Sequence, residues 1–367
     1  MTLTQTDNSI ALGSRSAAQI LFDLVSTPSV SGDEHAAAKV FVEHAVTLGF
    51  DAHVDEVNNA IAHRGPADAG IHIVLLGHID TVPGDIPVRI EDGVLYGRGS
   101  VDAKGPLTAM LVAASQTLLP DGVRITVAGA AGEEASGSVG ARFIVDQWSP
   151  DACLIGEPSG FVGVTLGYKG RLLVNTLATC ENSHSAGQDS SACDLLHDWW
   201  AAVKELIDSF NTDHTRVFDQ IQATIHGISS SCDGLHQSAN MQAGFRLPLG
   251  VDPTGLAEQL QALAPAGITM EFEGGELAYA TDRNDPVVRA LSTSIRTHGH
   301  TPRPKLKTGT ADFNVVGPVW KCPIAAYGPG DSALDHTPNE HLDLEELDQS
   351  VAILKTALES LATGLLG

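Results

Sequence analysis

Positive charge is scarce in this 367-residue chain: Lys and Arg number 21 against 45 Asp and Glu, a formal net charge of -24. That imbalance argues against nucleic acid or an anionic membrane as a partner, because both would be repelled. Cysteines are also few, and none of the five (Cys153, Cys180, Cys193, Cys232, Cys322) stands in a CxxC pair. Neither a disulfide framework nor a thiolate zinc site is expected, and reduced thiols point to a cytoplasm. No apolar stretch is long enough to span a bilayer, and the opening residues MTLTQTDNSIALGSRSAAQ lack the charged-then-apolar pattern of a signal peptide. Repeats and low-complexity tracts are missing too. A soluble, cytoplasmic protein is the expectation; with 43% hydrophobic residues it has ample core material, and its length suggests two domains.

What is present is an alternation of strands and helices. IHIVLLGH, residues 71–78, is an apolar β-forming run closed by a Pro-Gly turn, as in a parallel strand covered on both faces. VRITVAGA, ACLIG and CPIAAYG read the same way, with apolar helices between them. Ser31, three residues before Glu34, predicts a capping box opening a helix that stops at Gly49, and Asp285-Pro286 predicts another helix start. From about Tyr168 the pattern changes to half-buried antiparallel strands (GRLLVNTLATC, FRLPLG, ITMEFEGG) with amphipathic helices lying on them. The expected architecture is α/β: a mixed, largely parallel sheet with helices on both faces, built from residues 1–168 and 281–367, interrupted by an α+β insert over 169–280.

Ionisable residues recur where the apolar strands stop. His78 and Asp80 end one, Asp102 lies in the following glycine-rich loop, Glu133 and Glu134 follow VRITVAGA, Glu157 follows ACLIG, and His336 follows CPIAAYG. In a parallel sheet such residues converge on one edge, where ligands bind. So many carboxylates could not all stay ionised there without a compensating cation. Two divalent ions would compensate them, and imidazole with carboxylate suits zinc, or cobalt, better than magnesium. Asp80 is expected to accept the other N–H of His78 and fix its tautomer. Glu133 and Glu134 are expected to divide labour, one ligating metal and one serving as general base.

The motifs GHIDTVP, GRGSVDAKG, GEEASGSVGA, IGEPS and DHTPNEH occur in the order and spacing of the ArgE/DapE/carboxypeptidase G/aminoacylase superfamily of two-zinc amidohydrolases, which this chain resembles over its whole catalytic part. The resemblance implies a zinc-peptidase-like catalytic domain in which His78 and Glu157 hold one metal, Glu134 and His336 the other, and Asp102 bridges them, followed by a cis peptide to Ala103. It implies Glu133 as the base and an insert acting as lid and dimerisation domain of a homodimer. There NSHSAG implies His184 as an oxyanion stabiliser reaching across the dimer, although the proline that commonly follows is missing. Asn240 and Arg246, in ANMQAGFRL, sit where relatives bind a substrate carboxylate.

Within the superfamily, KTGTADFNVV and the following AYGPGDSALDHTPNEHLDL most resemble hydrolases that free lysine or ornithine from the terminal glutamate side chain of the amino-group carrier protein LysW, an acidic partner. Thr310 and Asn314 in that segment are candidate substrate contacts. Just before it, RPKLK clusters Arg303, Lys305 and Lys307, a candidate docking patch for the carrier. The alternatives are an N-acetylornithine or N-acetyllysine deacetylase or a related peptidase or desuccinylase, which share every metal ligand, and an inactive metal-bound binding protein.

Overall fold

The strand Ile71–His78 forms as its composition predicts and lies inside a nine-stranded sheet of the computed structural model, which describes residues 16–366 other than 185 and 188. From one edge the strands are Asp51–Val54, Ala60–Arg64, Val123–Ala130, Ile71–His78, Ala152–Gly156, Ile324–Ala326, Gly163–Tyr168 and Tyr279–Ala280, with Arg303–Lys307 pairing alongside Gly163–Tyr168. Four central neighbours, Val123–Ala130, Ile71–His78, Ala152–Gly156 and Ile324–Ala326, are mutually parallel, so their C-terminal ends share one edge. The register places His78 beside Ala130 and Gly77 beside Gly156.

Alternate side chains of these strands feed two cores, one on each face. Ile73, Leu75, Ile125, Val127 and Leu154 pack with the helices Lys104–Gln116, Pro286–Thr297 and Leu344–Leu366. Val74, Leu76, Ala128, Cys153 and Ile155 pack on the other face with Val139–Val145 and Asp312–Trp320. Each fully buried large apolar side chain contributes roughly 1.5–3 kcal/mol. Two strand-end glycines bring Lys104–Gln116 close: a methyl at Gly129 would stand 2.9 Å from Leu107, and one at Gly156 would stand 2.9 Å from the Met110 sulfur. That approach sets the start of the helix, and Asp102 just before it, against the sheet edge.

Between Gly170 and Glu276 the chain builds a four-stranded antiparallel sheet, ordered Gln222–Cys232, His236–Leu247, Gly170–Glu181, Ile268–Glu276. Helices Ala192–Asn211 and Pro253–Ala262 cover one face, where Trp199 is buried among Leu172, Met241 and Phe245 and donates its indole N–H to Leu260 O at 3.1 Å. Hydrogen bonding returns to the central sheet at Tyr279–Ala280, which pairs with Tyr168 and Gly167.

Asp285 caps the helix Pro286–Thr297 as its sequence predicts. Ser31 does not cap the helix His35–Thr47: its N-cap is Glu34, whose carboxylate instead accepts from Gly32 N. The Ser31 hydroxyl instead donates to the buried Asp80 carboxylate at 2.7 Å, a charge-assisted bond.

Candidate metal centre

The shared strand edge gathers the ionisable residues. His78 ends its own strand; Glu133 and Glu134 follow Val123–Ala130 in a short turn; Glu157 follows Ala152–Gly156; and the loop after Ile324–Ala326 carries His336, whose φ of 61° turns the imidazole back over the edge. His78 Nε2 lies 3.2 Å from Asp102 Oδ1, and His336 Nε2 lies 3.1 Å from Asp102 Oδ2 and 3.0 Å from Glu134 Oε1. Two donor sets result, His78/Asp102/Glu157 and Asp102/Glu134/His336, each with ligand atoms within 4.8 Å of one another and with Asp102 common to both. Tetrahedral sites with bonds of about 2.0–2.1 Å hold their ligand atoms about 3.3 Å apart, so this spacing and donor chemistry fit two divalent cations. The peptide from Asp102 to Ala103 is cis.

Electrostatics agree with a site built around positive charge. Burial, reinforced by Glu157, Asp312 and Glu134, pushes the Glu133 carboxyl well above its usual range. Burial lifts Glu157 and Asp312 to about 7 and Asp335 to about 8, each aggravated by neighbouring carboxylates. His336 is raised to about 10 by its bonds to Asp102 and Glu134. Burial would lower His78, but Asp102 and Asp80 outweigh it and hold the imidazole up. In the ion-free protein the histidines supply the positive charge that the acids require.

Asp80 does more than the sequence suggests. The His78 Nδ1 proton goes to the backbone carbonyl of Asp80 at 3.1 Å, with the carboxylate further off at 3.5 Å. The carboxylate accepts instead from Glu133 N at 3.1 Å, Glu134 N at 3.0 Å and the Ser31 hydroxyl. Burial would raise Asp80; the His78 imidazole, and after it the Ser31 and Glu134 N bonds, outweigh it and keep it ionised. Asp80 therefore fixes the tautomer through its main chain and aims the Glu133–Glu134 turn through its side chain.

Glu340 was not singled out by sequence. Its fully buried carboxylate accepts from Val101 N at 3.0 Å and Asp102 N at 3.1 Å and pairs with Arg98 at 2.7 Å, so it clamps the loop that presents Asp102. The only available signal was an acid inside DHTPNEH.

Comparison with known proteins bears on this geometry. The profile of peptidase family M20/M25/M40 matches residues 74–360, which span every residue of both donor sets. The chain belongs to this family. Like other M20 members it is a metal-dependent hydrolase, and one solved M20 structure, from Bacillus subtilis, is described as a dinuclear metal-binding peptidase. A LysW-lysine hydrolase from Deinococcus radiodurans is 46% identical over 358 residues, covering 95% of this chain and 98% of that protein. A putative LysW-lysine/LysW-ornithine hydrolase from Thermococcus kodakarensis is 39% identical, covering 95% and 93%. Among solved structures, an M20 metallo-carboxypeptidase from Sulfolobus solfataricus superposes with a TM-score of 0.79 at 18% identity, covering 95% of this chain and all of that one, and so shares the fold.

The remaining candidates of this M20 chain scatter. Arg246 lies at the base of the insert, where Nη1 donates to Thr310 Oγ1 at 2.7 Å, and Thr310 in turn donates to Lys169 O at 3.0 Å. Asn314 donates its amide to Lys169 O and Leu277 O and accepts from Ala311 N, so it ties the junction between sheet and insert. Asn240 sits six residues before Arg246 on the same strand, roughly 20 Å away, on the exposed face of the insert's sheet. There it lines a groove of about 620 Å³ with Leu177, Ile228 and Glu271. His184 is exposed, its Nδ1 accepting from Ala186 N at 3.1 Å. Arg303, Lys305 and Lys307 form a strand that runs from the surface inward: Arg303 and Lys305 are exposed, whereas Lys307 Nζ lies 3.9 Å from Glu157. No helix among the described residues is long and apolar enough to cross a membrane.

Proposed function

We propose that this M20 enzyme hydrolyses the amide joining the α-amino group of lysine or ornithine to the terminal glutamate side chain of the amino-group carrier protein LysW. The observation that carries the reading is the 46% identity, across 95% of this chain, to a protein named LysW-lysine hydrolase. We assign His78 and Glu157 to one metal, Glu134 and His336 to the other and Asp102 to both, with zinc as the first choice and cobalt as the alternative for this imidazole and carboxylate set. When bound, the two ions supply Lewis acidity toward the amide carbonyl and toward water.

Glu133 carries the proton traffic. Its carboxylate takes a proton from the attacking water and delivers it to the departing amine, a role suited to a buried acid whose pKa sits high. Asp80 keeps it aimed, and Glu340 keeps Asp102 in place. Arg246 takes the α-carboxylate of the leaving amino acid, steadied by Thr310. Arg303 and Lys305 form a docking rail for the acidic carrier. His184 and Asn240 complete the site of a second copy in a homodimer, with the insert as lid and dimerisation unit. The five cysteines are all unpaired, in keeping with a cytoplasmic enzyme.

The test compares release of lysine and ornithine from carrier-linked and N-acetylated forms under matched zinc or cobalt. Carrier-linked substrate is expected to win in kcat/KM; preference for the acetylated form would make the enzyme a deacetylase. Glu133→Gln is expected to cut kcat by about 100- to 10,000-fold with metal content retained, and wild-type turnover would exclude Glu133 as the base.

A further inference from the structure

We propose that Lys307 binds the α-carboxylate of the glutamate on the acyl side of the scissile amide, and so separates a γ-glutamyl amide from a simple acetyl amide. The inference rests on the substrate reading above and names a recognition element within it.

Lys307 differs from the other sequestered lysines of the molecule. The buried Lys104 donates to Leu24 O and Thr27 O, each at 2.9 Å. Lys169, likewise fully buried, reaches Val217 O, Gln220 O and Gln222 Oε1. Both ammonium groups are satisfied by the fold. Lys307 has a side chain only 15% exposed, yet among the described residues its Nζ donates no hydrogen bond. Its neighbours are Glu157 Oε2 at 3.9 Å and the Tyr168 ring, whose centroid is 5.7 Å away. An ammonium has three donors, and leaving them unmade in a recessed site is costly. Once Glu157 gives its charge to a metal, the acid left near Lys307 is Asp335, itself set among the other carboxylates of the cluster. The arrangement is that of a cation waiting for an anion at the mouth of the cluster.

Two carboxylates flank the proposed scissile bond, one on the leaving amino acid and one on the glutamate. Arg246 has Glu133 and Glu276 as its carboxylate neighbours. Because Glu133 hands its proton to the departing amine, the amine side of the substrate lies toward Arg246. Lys307 belongs to the Glu157 side, which leaves it the acyl-side carboxylate. An acetyl group has no such anion to offer.

The experiment uses the full-length metal-loaded enzyme with N-acetyl-γ-glutamyl-lysine, joined through the lysine α-amino group, and two analogues in which either the glutamate or the lysine α-carboxylate is a carboxamide. Wild type is expected to prefer the parent to the glutamate carboxamide by about 10- to 100-fold in kcat/KM. Lys307→Met is expected to bring those two substrates to the same kcat/KM while discrimination against the lysine carboxamide persists; Lys307→Arg is expected to restore part of the preference. The proposal is overturned if wild type does not discriminate, if Lys307→Met lowers parent and glutamate carboxamide equally together with metal content, which would make Lys307 a support for Glu157, or if the lost discrimination is against the lysine carboxamide. Release of lysine from N-acetyllysine alone, with every glutamyl substrate inert, would instead bring down the substrate reading and this inference with it.

Discussion

Replacing Asp80 by Asn changes one atom in a fully buried side chain and should cost both stability and rate. Its Oδ1 accepts from Glu133 N, and its Oδ2 from Glu134 N and Ser31 Oγ. Whichever way the new amide turns, its NH2 faces one of the two backbone N–H groups. If it replaces Oδ2, Ser31 can reverse and accept, but Glu134 N is orphaned; if it replaces Oδ1, Glu133 N is. One buried donor left unmade, together with the weakening of charge-assisted bonds to neutral ones, amounts to about 3 kcal/mol of folding stability. The turn that carries the base then loosens, and misplacement of a reacting group by about 1 Å is worth about 100-fold in rate. The assay is kcat for lysine release at saturating zinc, alongside denaturant unfolding and metal content. Stability lower by about 3 kcal/mol and kcat lower by about 100-fold, with zinc still bound at saturation, are expected. A variant with kcat within about twofold of the parent would refute the claim that this carboxylate aims the Glu133–Glu134 turn.

Removing metal should make the protein lose stability as pH rises. Without ions Glu157 and Asp312 titrate at about 7 rather than 4.5 and 3.8, and His336 at about 10 rather than 6.5. All three folded values exceed the unfolded ones, so their contributions are full at low pH and fade as pH passes 7 and then 10. In chelated protein Tm should therefore fall between about pH 6.5 and pH 9 and the gain on adding zinc should grow; a chelated Tm that rises over that range contradicts the argument. Away from the site, burial and then Arg124 depress His63 and His72 to about 4, and Thr126 Oγ1 lies 2.9 and 2.8 Å from their rings. Their folded values lie below the unfolded 6.5, so stability is complete above pH 6.5 and is lost as pH falls toward 4. A His63→Gln/His72→Gln variant of the metal-loaded enzyme should show a flatter acid limb in its unfolding midpoint, and an unchanged limb would exclude this pair as its source. Asn314→Ala should cost about 2–4 kcal/mol of stability through three lost hydrogen bonds while leaving KM near the parent value; the reverse outcome would restore Asn314 as a substrate contact.

The sheet edge was legible from sequence because a parallel strand announces itself twice, through an uninterrupted apolar run and through the polar residue where that run stops. His78 and Glu157 are such termini and Glu134 follows one within a short turn, whereas His336 comes from the loop beyond its strand; the structure brings all four together around Asp102. Partnerships between distant segments were not legible. Ser31 looks like a helix cap from its local spacing, and only the fold shows the helix starting at His35 with Glu34 at its cap, while the Ser31 hydroxyl donates to Asp80. Asn314 stands in a segment that resembles a substrate loop, yet its amide serves the main chain at the junction with the insert. Lys307 read as one third of a surface patch because alternation along a strand says which side a residue takes and nothing about how deep that end of the strand goes. Glu340 gave no periodic signal: its value lies in two backbone N–H groups some 238 residues earlier.

The grip of Glu340 on Val101 and Asp102 also imposes an order of events on synthesis. While the chain is still emerging from the ribosome, the aspartate shared by both donor sets is made long before the residues that hold its loop and close the second set. A nascent chain ending short of His336 offers one set and an unclamped bridge. Hydrolytic competence is therefore a late property of the polypeptide, acquired only once synthesis has passed Glu340.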